Sequence, residues 1–261
     1  YFPYSKLADP TSETGELEVQ SAAWDFGAAF PLSFSNGRIV ILNQFKYKRI
    51  DFRYRNHPAG PEIEQAQSIE HTFFLVDSLS QTWKMIAVLT PGFASDFEAK
   101  VSSDDFTLTG VFGFIWKFRE NFDIGFGAAY MRDFGAPIPL PFLYFDWNNG
   151  GRMHAKGILP QNMDVLYDLS PKMSLGLSFK ISGNRYHGNP DKYGVDNPQL
   201  KYSEGTISQI AQVHFTDWCH LDVEGGFAFY RNFEFMDGDE PVQSLDLNRT
   251  GYLRARIILG I

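Results

Sequence analysis

A period of two recurs along most of the chain. Within residues 251–261, Leu253, Ala255, Ile257, Leu259 and Ile261 alternate with Tyr252, Arg254 and Arg256, so an extended segment there shows one greasy face and one basic face. Over 173–184, Met173, Leu175, Leu177, Phe179 and Ile181 alternate with Ser174, Gly176, Ser178, Lys180 and Ser182. Over 106–118, Phe106, Leu108, Phe112, Phe114, Trp116 and Phe118 share one face, with Thr107, Thr109, Gly113 and Lys117 on the other. Over 219–231, Leu221, Val223, Phe227 and Phe229 oppose His220, Asp222, Glu224 and Tyr230. No run reaches the roughly eighteen apolar residues of a membrane helix, so any membrane crossing falls to strands. Strands that are greasy on one side and charged on the other meet both needs in a transmembrane β-barrel, with lipid outside and polar partners within.

The 261 residues carry no linker-like segment or charge run, which predicts a single domain over 1–261. A formal charge of -8 without a clustered basic excess argues against a nucleic-acid partner. The negative mean hydropathy of -0.24 is compatible with a barrel, because only every second strand residue meets lipid. Cys219 is the sole cysteine, so no internal disulfide forms, and it is read as a packed thiol. A barrel of this kind is exported, so the sequence is expected to be the form left after signal-peptide removal.

Connections alternate between tight and long. Residues 35–37, 77–81, 119–121, 148–151, 169–172 and 216–218 read as hairpin turns, and 53–68, 95–105, 188–199 and 234–244 as longer polar loops. Short turns belong to the periplasmic end of an outer-membrane barrel and long loops to the outside. Trp83, Trp116, Trp147 and Trp218 lie at or near the tight turns, as an interfacial aromatic girdle requires. Strands are predicted at 17–34, 38–52, 68–77, 82–94, 104–118, 122–133, 138–147, two within 152–168 that meet near Pro160, 172–186, 201–215, 219–233 and 245–261. A short first strand over Phe2 to Ala8 completes an all-β, antiparallel up-and-down barrel of about fourteen strands, with about twelve as the alternative.

The run from Gly125 to Phe145, followed by Ile158-Leu159-Pro160 and Leu169-Ser170-Pro171-Lys172, resembles a family of uncharacterised outer-membrane β-barrel proteins of Bacteroidota and related bacteria. Its marks are a Gly-rich strand, a Phe-Gly-x-Pro corner, a Pro-bearing return strand and the Ser-Ser-Asp-Asp element at 102–105. The resemblance implies the fold and an outer-membrane location, and leaves the activity open. Many such barrels end in an aromatic residue, whereas this chain ends in Ile261.

Chemistry-bearing motifs are few. Ser33-Phe34-Ser35-Asn36-Gly37-Arg38 looks like the His-x-Ser-Asn-Gly-Arg stretch of outer-membrane phospholipases, but Ser33 stands where the general base would be. Asn36-Gly37 is explained as a turn pair, so no enzyme activity and no cofactor are expected. His214 and His220 should face one another across a hairpin near Asp222 and Glu224, as a hydrogen-bonded lumen pair and not a metal site. Glu18, Lys46, Lys48, Lys180, His214, His220, Asp222, Glu224, Arg254 and Arg256 form the candidate lumen charge network, with Glu18, Asp222 and Glu224 as partners for the two arginines. The expected function is a passive channel for small polar solutes, since a barrel of this size exceeds the roughly eight strands that side chains fill. The alternative is a closed structural or accessory subunit of a larger outer-membrane complex. The expected partners are outer-membrane lipid and other outer-membrane proteins.

Overall fold

A computed structural model describes residues 1–6, 18–55, 63–130, 139–216 and 218–259. They form one sheet of fifteen strands, antiparallel apart from a single parallel bridge between β11 and β5: β1 (Phe2–Lys6), β2 (Glu18–Phe34), β3 (Ile39–Arg55), β4 (Gln65–Ser78), β5 (Trp83–Ser95), β6 (Phe106–Arg119), β7 (Phe122–Tyr130), β8 (Pro139–Asn148), β9 (Met153–Leu159), β10 (Asn162–Ser170), β11 (Met173–His187), β12 (Pro198–Thr216), β13 (Cys219–Asp237), β14 (Glu240–Asp246) and β15 (Thr250–Leu259). Both β14 and β15 pair with β13 along different parts of its length, so the fifteen strands fill fourteen places. The sheet closes through β1, which ladders with β2 and meets the last strand. There the Tyr1 ammonium donates to the Leu253 carbonyl at 2.9 Å, Leu253 N–H returns to the Tyr1 carbonyl, and Asn248 N–H reaches the Lys6 carbonyl at 2.8 Å. The expected Phe-Gly-x-Pro corner, the Ala8 end of the first strand and Ile261 lie outside the described residues.

The expected tight turns all join consecutive strands at one end of the barrel. At the first, Ser35, Asn36 and Gly37 adopt positive φ of 52°, 54° and 87°, the left-handed backbone that the Asn-Gly pair tolerates. Pro160, which has no N–H to donate, sits between β9 and β10 at the opposite level.

Two features depart from the simple alternation. The segment expected as a loop at 234–244 is a hairpin, with β13 running to Asp237 and β14 starting at Glu240 around Gly238. Its extension is driven by burial, because Phe233, Phe235, Leu245 and Leu247 are all withdrawn from solvent. A bulge also interrupts β13: Gly205 pairs with Tyr230 and Thr206 with Ala228, which leaves Phe229 without a partner residue. One extra residue inverts the facing of everything beyond it. Glu224 and Ala228 therefore point inward, and so do Arg231 and Phe233. Tyr230, which the alternation placed on the polar inner face, turns outward and is 47% exposed.

The barrel has two storeys. β9 and β10 are short, and the ladder of β10 with β11 stops at Lys180. Beyond that level β11 crosses to β5, where His187 pairs with Ser95. Ser95 Oγ and Asp96 N–H both donate to the His187 carbonyl, at 2.9 and 3.0 Å. The loop-end storey thus bypasses β6 to β10 and is narrower than the turn-end storey. Its inner faces converge on a buried core that includes Val19, Ile50, Phe52, Tyr186, Leu200, Tyr202 and Phe233.

The outer surface of the turn-end storey is apolar. Trp24, Phe26, Phe30, Leu32 and Phe34 on β2, Phe112, Trp116 and Phe118 on β6, and Leu253, Ile257 and Leu259 on β15 are all exposed. Such a continuous band exceeds what a water-facing surface carries. Trp83 and Trp116 stack at 5.9 Å beside the turns, with Phe118 against Trp116 at 5.1 Å. Above Trp24 the outer face of the neighbouring strand becomes charged, with Arg49 paired to Asp51 at 2.8 Å.

Candidate functional site

The lumen wall is divided by chemistry. From β9 to β13 and on β15 many of the inward residues are polar, interrupted by buried Ile210 and Ala228. Lys180 Nζ lies 2.7 Å from Glu224 Oε1, and the guanidinium of Arg254 sits 3.5 Å from the other Glu224 oxygen and 3.8 Å from Glu204. Glu204 also accepts from Ser182 at 3.2 Å and from the Tyr202 hydroxyl. One chain of charge therefore ties β11, β13, β15 and β12 together. Glu224 is buried, so its two cations replace the water it has lost.

Of the expected network, Lys180, Glu224 and Arg254 meet directly. His214 and His220 face each other in register, with ring centroids 5.1 Å apart, and His220 Nε2 is 3.8 Å from buried Asp222. Arg256 stands beside Asp222 in register. Lys46 and Lys48 lie on the lumen face of β3, opposite Glu70 and Ser68, apart from this cluster. Glu18 departs from expectation. Val19 and Ser21 are buried inward, so Glu18 takes the outer face, 3.9 Å from Arg55. It is no partner for Arg254 or Arg256, because the period of two sends adjacent residues to opposite sides.

Several bonded residues inside the barrel are not announced by the sequence pattern. Arg231, only 1% exposed, donates to Ser5 Oγ at 3.2 Å and to Ser21 Oγ at 2.9 Å, and its guanidinium lies 4.3 Å from the Phe2 ring centroid. It pins β1 and β2 to β13 from inside the barrel. The bulge at Phe229 hid it, since unbroken alternation turns Arg231 outward. Nearer the turns, Asp168 pairs with His154 Nε2 at 2.7 Å and accepts from Ser174 at 2.6 Å. These flank a polar cavity of about 400 Å³ lined by Arg152, Ser170 and His214. Among the described residues no group of three or more His, Cys, Asp and Glu side chains is placed to hold a metal.

From β4 to β8 the middle of the lumen wall is instead apolar, bounded by the Thr72–Thr90 hydroxyl pair and, near the turns, by Asp146. Ile86, Ala129 and Phe142 are buried against Phe74, Val76, Val111, Ile115 and Tyr144. Gly113 and Gly127, partners in register, make room for the Phe142 ring: a Cβ on either would lie 2.7 or 2.6 Å from it. The signal was present in Phe73-Phe74-Leu75-Val76 and Met85-Ile86-Ala87-Val88-Leu89, where both faces of the strand are apolar.

The loop-end core completes the site. Phe52 on β3 and Tyr202 on β12 come from opposite walls, and their ring centroids are 6.2 Å apart. Phe233, the register partner of Tyr202 on β13, touches both, 5.3 Å from Phe52 and 4.7 Å from Tyr202. The three rings meet across the lumen, and at that level side chains fill it.

A barrel with an apolar outer band, a charged lumen arc and an aromatic core at the loop end defines the class of protein: a β-barrel built of a single chain. The chain belongs to the family described as "Domain of unknown function (DUF6268)", which it matches over residues 1–239. No curated protein matches it. Among solved structures it is similar to the NanC porin in its rhombohedral crystal form, at 9% identity and a TM-score of 0.36, over 94% of this chain and 98% of the other. It is also similar to the siderophore receptor PirA from Acinetobacter baumannii, at 8% identity and a TM-score of 0.30, over 92% of this chain and 48% of the receptor.

Proposed function

We propose that the protein is a bacterial outer-membrane barrel whose lumen is closed at the loop end, and that it acts as a structural or accessory barrel, without catalytic activity. The exposed apolar band and the aromatic girdle beside the turns support the membrane reading. Contact among Phe52, Tyr202 and Phe233 across the lumen carries the functional reading, because close-packed rings leave no path for a solute. On this view the turns face the periplasm, and the partners are lipid and other outer-membrane proteins.

A second reading, a channel for small polar solutes, draws on the polar turn-end cavity and on Lys46 and Lys48. It requires the aromatic layer to move aside. Swelling of vesicles containing the purified protein in isotonic arabinose separates the two. The closed reading expects swelling no faster than protein-free vesicles, and arabinose entry at porin-like rates favours the channel.

A further inference from the structure

The apolar arc of the lumen encloses a cavity of about 400 Å³, within the roughly 300–1,000 Å³ span of small-ligand pockets. Phe74, Val88, Val111, Leu140 and Phe142 form its wall, and Ile181, from the part of β11 beyond its ladder with β10, closes one side. Its rim is the tip of the shortest hairpin, Leu159, Pro160 and Gln161. From these observations we infer that the cavity is a binding site for a single lipid acyl chain, admitted from the bilayer side over that hairpin tip.

Three observations point to this occupant. The wall is aliphatic and aromatic, whereas the arc of β11, β12, β13 and β15 carries the Lys180, Glu204, Glu224 and Arg254 charges, so water gains little by entering and a hydrocarbon chain gains much. Each methylene transferred from water to such a wall contributes about 0.8 kcal/mol. The rim also belongs to the lipid-facing surface: Leu159 pairs in register with Leu143, which is 54% exposed on the outer band. Because the hairpin is short and β11 turns away to β5 above it, the outer apolar surface runs over Leu159 into the cavity. Finally, Gln161 and Thr109 are polar side chains of the lining and can receive the ester or carboxyl end of the chain, while the apolar wall takes its length. The shared ligand chemistry is a linear acyl chain, carried either by a bilayer phospholipid or by a free fatty acid.

The inference rests on the membrane reading above, and the test keeps the two apart. Protein reconstituted in dioleoylphosphatidylcholine vesicles is irradiated with one of two probes carrying a diazirine on the acyl chain, a phosphatidylcholine or a free fatty acid. Adducts are mapped by mass spectrometry. The expected result is labelling of inward Val111 and Phe142 as well as outward Phe112 and Leu143, with the inner adducts lost on adding palmitate. They are also lost in Ala129→Trp, which fills the cavity, and in the milder Val88→Phe if the first variant does not assemble. Inner labelling by the phosphatidylcholine probe assigns the chain to the bilayer; inner labelling by the fatty acid alone assigns it to free acid. Adducts confined to the outer face overturn the inference while leaving the membrane reading intact. Absence of labelling on either face refutes both.

Discussion

An arginine scan along the outer face of β11 separates lipid from water as the neighbour of the apolar band. Met173 starts the strand beside a tight turn, and Leu177, 58% exposed, follows four residues later on the same face. A strand rises about 3.3 Å per residue, and a tilt of roughly 40° leaves about 2.5 Å of that along the membrane normal. Leu177 therefore stands about 10 Å above Met173, near the middle of an apolar band about 25 Å tall. Leu177→Arg should then cost about 2–4 kcal/mol, against about 0–1 kcal/mol for Met173→Arg at the interface. Leu175→Arg should fall between them. At about 1.4 kcal/mol per factor of ten, the midplane change alters the folding equilibrium roughly 30- to 700-fold. Reversible urea unfolding from phosphatidylcholine vesicles, followed by tryptophan fluorescence, reads the difference. Equal costs at all three positions would show that depth is irrelevant and that the band does not meet a bilayer.

Four further outcomes follow from the lumen. Phe233→Ala removes a buried ring with two aromatic neighbours and should cost about 3–5 kcal/mol in the same assay; a loss below about 1 kcal/mol would contradict a packed stopper. Glu224→Gln removes the buried carboxylate shared by Lys180 and Arg254; both cations keep some solvent access and Arg254 keeps Glu204, so it should destabilise by roughly 1–3 kcal/mol, with Lys180→Met in the same chain recovering part of the loss; no recovery would count against direct pairing. Ser178 is packed inward and donates to Asp164, so Ser178→Arg should cost about 1–3 kcal/mol through overpacking, and a neutral effect on urea stability would contradict its burial. Purified protein should carry no stoichiometric metal, and elemental analysis finding zinc or copper that is lost in His214→Ala or His220→Ala would overturn the lumen-pair reading.

Much of the fold was legible because strand facing is a local property. Leu177 against Ser178, or Phe112 against Thr109, follows from the period of two and from the need of each face for a different solvent. Turn chemistry, as at Asn36-Gly37, then set where strands reverse. What could not be read depends on non-local geometry. The bulge at Phe229 inverts the facing of Arg231 and Tyr230, and nothing in the local pattern of 219–231 announces it. Glu18 carries the charge expected of a partner for the two arginines, but one residue of register decides its side, and it meets Arg55 on the outer face. The crossing of β11 to β5 joins His187 to Ser95 over a separation that alternation does not address. That crossing narrows one storey, which is why a barrel with fourteen places carries a side-chain core that strand number alone argues against.

Single-channel recording of the purified protein in a planar bilayer tests the closed lumen most directly. The packing of Phe52, Tyr202 and Phe233 predicts that wild-type protein inserts without a steady ionic current. Replacing all three rings by alanine in one chain should produce a leak, with a cation-to-anion preference that shifts in Arg254→Ala, where a lumen charge is removed. A stable open conductance from wild-type protein, unchanged when the three rings are removed, would contradict the account.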